Sequence, residues 1–154
     1  MKSILSIFVL LVGLITPAVA EPAPDFKIND KTSLSDLKGK VVYVDFWASW
    51  CAPCRKSFPW LNELQTQYKE KGFTVIAVNV DVEKSMADEF LEQVPANFPI
   101  VYDPNSKIAK AYQLVGMPSS YIIGRDGEVK HMHAGFSSKK TAQYQQEIIE
   151  LIKQ

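Results

Sequence analysis

Cysteine and histidine are scarce in this 154-residue chain, which holds two of each. One disulfide, or one zinc site using all four side chains, is the most they could build. Charge of one sign is not in excess either. Seventeen basic residues balance seventeen acidic ones, which gives no electrostatic case for a nucleic-acid partner. Repeats, low-complexity tracts and blocks of like charge are missing, so nothing marks a second folded domain. An apolar fraction of 47% is ordinary for one soluble core.

Long uncharged apolar runs are confined to the beginning. Lys2 is followed by the stretch Ile4 to Ile15, Pro17 breaks it, and Ala18-Val19-Ala20 fits a small-residue cleavage site. The run falls short of the roughly 20 residues a spanning helix needs. Residues 1–20 are therefore expected to be a cleaved export signal rather than an anchor, and residues 21–154 a single domain. Export implies a periplasmic, oxidising compartment.

Glu21-Pro22-Ala23-Pro24 is too rich in proline for helix. Phe26-Lys27-Ile28 and Thr32-Ser33-Leu34 flank Asn29-Asp30 as a small hairpin would. Val41 to Trp47 is a nearly continuous apolar run whose only charge is Asp45, the pattern of a strand buried on both faces. From Cys51 the apolar positions Phe58, Leu61, Leu64 and Tyr68 recur at helical spacing until the stop at Lys71-Gly72, with Pro59 expected to kink the helix. A second buried strand is expected over Phe73 to Val80, then a helix around Met86, Phe90 and Leu91. An extended piece at Asn97 to Tyr102 and a short helix from Ile108 to Tyr112 follow. Ser119 to Ile123 and Glu128 to His133 form a hairpin around Asp126-Gly127, and a last helix turns Tyr144, Ile148, Ile149 and Ile152 inward. Strands alternating with helices, then a hairpin and a closing helix, describe an α/β domain with a mixed sheet.

Both cysteines fall in Trp50-Cys51-Ala52-Pro53-Cys54, between the first strand and its helix. At this spacing they can close a disulfide with little backbone movement, yet a bridge around so short a loop restricts the unfolded chain little. Redox chemistry explains the pair better than a structural staple. Cys51 would sit at the open first turn of the helix, where free N–H groups and the helix dipole favour a thiolate. It is the expected nucleophile. Cys54, one turn deeper, is the expected resolving thiol and needs a base for its proton.

The segment Phe46 to Arg55 resembles the active site of the thioredoxin superfamily. The approach Leu34 to Val42 and the later Gly116-Met117-Pro118-Ser119 narrow the resemblance to exported thiol-disulfide oxidoreductases of the TlpA/ResA/CcmG-like group, over about Phe26 to Ile152. The resemblance implies a thioredoxin-like three-layer fold: a mixed central sheet flanked by helices, with an N-terminal hairpin and a central helical insertion. It implies that the Cys51-Cys54 disulfide is the redox group, with no further cofactor and no metal. Asp45 would be the buried acid behind the cysteines, its pKa raised for proton transfer. Pro118 would be a cis proline facing the pair, and Trp50, Met117 and Pro118 would touch the client chain. Partners implied are protein disulfides or dithiols, with a membrane thiol reductase as electron donor and apocytochrome c maturation among the family's roles. A monomer is expected. Pro53, and the lack of a His between the cysteines, point to a reducing couple.

Other readings compete less well. His131 and His133 alternate on one strand face and could join the cysteines in a Cys2His2 zinc site, but two histidines on a half-exposed strand are the ordinary alternative. Thiol peroxidases share the fold, yet Val44 and Ala48 stand where they need Pro and Thr or Ser. A copper-binding module and a disulfide oxidant or isomerase complete the alternatives. ResA-like relatives carry a Glu soon after the second core strand. Val82 stands there in this chain, and Asp81 and Glu83 beside it read as the solvated start of a helix.

Overall fold

A seven-residue strand with no exposed side chain, β1 (Val41–Trp47), is the axis of the fold. In the computed structural model, which describes residues 21–154, it lies at the centre of a five-stranded sheet of order β3-β2-β1-β4-β5. The expected export segment is outside the described residues. On one side β1 pairs in parallel with β2 (Phe73–Asn79), which pairs in parallel with β3 (Ile100–Tyr102). On the other side it pairs antiparallel with β4 (Ser119–Ile123), which forms a hairpin with β5 (Val129–Ala134). The sheet is mixed, as the sequence predicts.

Alternation along β1 divides the core. Val41, Tyr43 and Trp47 face one cluster, built with Phe58, Leu61 and Leu64 of α1 (Ala52–Tyr68), Phe90 of α2 (Lys84–Gln93) and Ile148 and Leu151 of α4 (Thr141–Ile152). Val42, Val44 and Phe46 face a second cluster with Phe26, Leu34 and Tyr112, closed by the short α3 (Lys107–Ala111). A strand packed on both faces has no polar face to spare, which is why its sequence is a continuous apolar run rather than an alternating one. Asp45 is the exception, and by the same alternation it points into the first cluster.

Two expectations change in detail. The N-terminal hairpin is a single bridge, Lys27 with Ser33, because the Asn29 side chain accepts the Lys31 and Thr32 N–H groups and tightens the turn before strands can extend. The expected turn after it begins as a 3-10 helix, Leu34–Leu37. Pro59 lies inside α1, which runs through it as one helix. At the end of the molecule where β1 begins, Arg125 in the β4–β5 turn donates to the carbonyl oxygens of Gly39, Lys71 and Ile152. Gly72 follows Lys71 at φ +79, and a Cβ there would meet Arg125 Nη1 at 2.9 Å.

Candidate active site

β1 delivers the chain to the start of α1, and Cys51 caps that helix. Its backbone is extended (φ −85, ψ 98), and its Sγ accepts the Cys54 N–H at 3.2 Å. An N-cap normally offers an oxygen to these unpaired donors; here a sulfur takes the place, which favours negative charge on it. Pro53 stands in the first turn, where a missing N–H costs the helix nothing. Cys51 and Cys54 are joined as a disulfide with their Cα atoms 5.3 Å apart. Cys51 is 4% exposed and Cys54 fully buried, so attack from outside meets Cys51 first.

Asp45 is buried, 2% exposed, and points into the cluster that contains both cysteines. Its Oδ2 has no hydrogen-bond partner. Loss of water around the carboxyl raises its pKa from 3.8 to about 8. A proton can therefore be held or released there near neutral pH. Trp47 and Phe58 wall the same space, their ring centroids 4.9 Å apart.

The Met117–Pro118 peptide bond is cis. Phe46 pairs with Ser119, so continuing that register sets Pro118 beside Trp47, at the end of β1 that leads to Cys51. Pro118 O accepts the Gly135 N–H at 2.7 Å, and Met117 packs on the cluster holding the cysteines. Trp50 stands 66% exposed next to Cys51, over a shallow depression lined with Arg55, Met86 and Phe90.

Asp81 departs from its expected place. It is buried rather than solvated, because the Ser49 backbone N–H and hydroxyl donate to its two oxygens at 2.8 and 3.0 Å and the Asn79 amide donates at 2.8 Å. It thereby fixes the loop that presents Trp50 to solvent and leads into Cys51. Glu83 is exposed, just before α2. The available signal was an Asn and an Asp two positions apart at a buried strand's end, with no hint of their partner. His131 and His133 lie on β5 beside Glu147 of α4, away from the cysteines. Among the described residues no group of three or more His, Cys, Asp or Glu is placed to hold a metal ion, and no helix is long and apolar enough to cross a membrane.

A family model described as Redoxin matches residues 18–148. The chain belongs to the Redoxin family. Within it, the thiol-disulfide oxidoreductase ResA of Geobacillus kaustophilus is 38% identical over 127 residues, covering 80% of this chain and 73% of that one. ResA of Bacillus cereus is 37% identical over 126 residues, covering 79% and 73%. A Chlorobium tepidum crystal structure assigned as the thiol:disulfide interchange protein DsbE matches this Redoxin with TM-score 0.83 at 46% identity, over 86% of this chain and 96% of that one. The protein is thus a thiol-disulfide oxidoreductase of the ResA/DsbE type with a thioredoxin-like fold.

Proposed function

We propose that this Redoxin is an exported reductant that keeps cysteines of periplasmic client proteins in the dithiol form. The observation that carries the reading is an N-cap sulfur joined to a fully buried one, with a high-pKa carboxyl in the same cluster. In the reduced protein the Cys51 thiolate attacks a client disulfide, making a mixed disulfide and releasing the client's other sulfur. Cys54 gives its proton to Asp45 and attacks Cys51 Sγ, and the client leaves reduced. Trp50, Met117 and Pro118 hold the client's extended backbone beside Cys51. Electrons return from a membrane thiol reductase, the chain works as a monomer, and cytochrome c maturation is the process this chemistry suits. Residues 1–20 serve as the cleaved export signal.

Equilibration of the couple with a dithiol buffer tests the direction of electron flow. A potential near the roughly −270 mV of thioredoxin is expected. A value above about −195 mV, the midpoint between thioredoxin and the roughly −120 mV of DsbA, would instead make the protein an oxidant or isomerase.

A further inference from the structure

A polar row crosses the inner face of the sheet. Asp45 on β1 pairs with Ser120 on β4, and Ser120 pairs with His133 on β5. Register partners share a face, with Cβ atoms about 4.5–5.5 Å apart. Around them on that face stand Ala77, Ile122, His131, Trp47 with a buried Nε1 that also lacks a partner, and the Tyr43 hydroxyl, which donates to Ser120 Oγ at 2.8 Å. At the outer end His133 lies on the Tyr144 ring, centroids 4.0 Å apart. Its Nε2 is 2.8 Å from Glu147 Oε2, and no other donor reaches that oxygen.

A carboxylate 2.8 Å from Nε2 favours the tautomer with the ring proton there, which leaves Nδ1 an acceptor. His133 Nδ1 is buried without a partner, and so is Asp45 Oδ2. Ser120 stands between them. A hydroxyl has two acceptor sites and one donor. With Tyr43 filling one acceptor site, Ser120 keeps a second acceptor site and its one donor, and its two register partners are Asp45 and His133. Burial lowers the His133 pKa, against the raising effect of Glu147 and with smaller lowering effects from His131 and Lys140, so the ring is neutral near pH 7 and can accept at Nδ1 only as it gives up its Nε2 proton.

We propose that Ser120 is a positioning residue of the resolving step, its hydroxyl carrying the proton from Asp45 across the sheet to His133 and the Glu147 carboxylate at the rim. The inference rests on the reading of Asp45 as the base for Cys54. A carboxyl whose pKa is about 8 is mostly protonated at pH 7, so Asp45 first passes its proton to Ser120 Oγ as the Ser120 proton moves to His133 Nδ1, and the Nε2 proton goes to Glu147 and on to water. The Asp45 carboxylate then takes the Cys54 S–H proton. The Cys54 sulfur bonds to Cys51 Sγ, the bond from Cys51 to the client sulfur breaks, and the client leaves as a thiolate with the electron pair.

Reduced protein mixed with excess 5,5′-dithiobis(2-nitrobenzoate) separates the steps. The first release of thionitrobenzoate reports attack by Cys51, and the second reports displacement by Cys54. Ser120→Ala is expected to slow the second phase about tenfold at pH 7, the size of a one-unit change in proton affinity. The first phase should not change, and Ser120→Thr, which keeps the hydroxyl, should restore the second. Glu147→Gln, at the half-buried rim, should slow the second phase in the same sense and decides the question if Ser120→Ala does not fold. A normal second phase in Ser120→Ala beside a slow one in Asp45→Asn would overturn the relay and leave Asp45 as the base. A normal second phase in Asp45→Asn would overturn both. Equal slowing of both phases in Ser120→Ala, without rescue by Thr, would show a packing defect and also overturn the relay.

Discussion

Replacing Asp45 by Asn should change how the stability of this protein depends on pH. The carboxyl has an ordinary pKa of 3.8 in the unfolded chain and one of about 8 in the fold, where burial disfavours its charged form. The native state therefore keeps this proton over a pH range in which the unfolded state has lost it. Stability from this group is complete below pH 3.8, falls as pH rises, and levels off above about 8. At about 1.4 kcal/mol per pH unit the full fall is roughly 5–6 kcal/mol, an upper bound and a large part of the 5–15 kcal/mol typical of a domain. Asn fills nearly the same space and stays neutral throughout. In urea unfolding of the oxidised protein, the stability gained by Asp45→Asn should thus be roughly 4 kcal/mol greater at pH 9 than at pH 5. Groups elsewhere titrate alike in both proteins and cancel in the comparison. An equal gain at both pH values would refute the burial argument and, with it, a carboxyl poised to exchange protons near neutrality.

Cys54→Ser should trap a mixed disulfide between Cys51 and a client, visible on a non-reducing gel, whereas Cys51→Ser should trap none. Asp81→Ala leaves the Ser49 N–H and the Asn79 amide without their acceptor and should cost about 2–4 kcal/mol in urea unfolding. Trp50→Ala removes a side chain that packs little, so stability should shift by less than about 0.5 kcal/mol while KM for a protein disulfide rises several-fold.

What the sequence made legible is local. Val41 to Trp47 could be read as a doubly buried strand because burial on both faces is written into consecutive residues. The redox pair was legible because both thiols lie within one helical turn. Asp81 was not, since its partner Ser49 is 32 positions away and only the parallel β1–β2 register brings them together. For the same reason the polar row is invisible along the chain. Asp45, Ser120 and His133 become neighbours only when three strands align, and Ser120, which joins the other two, is an unremarkable residue along the chain. The N-terminal hairpin was expected from flanking apolar triplets, but the Asn29 side chain supplied hydrogen bonds that a second pair of strand residues would otherwise have made.

The three carbonyls gathered by Arg125 have a practical meaning for anyone handling the protein. They belong to the residues just before β1, just after α1 and at the close of α4, so α4 finishes at the end of the sheet opposite Cys51. A fluorophore or a surface linker placed past α4 would leave the Cys51 end of the sheet and the exposed Trp50 unobstructed. Truncation before Ile152 would instead release the guanidinium from one of its acceptors and loosen the hairpin turn that carries it.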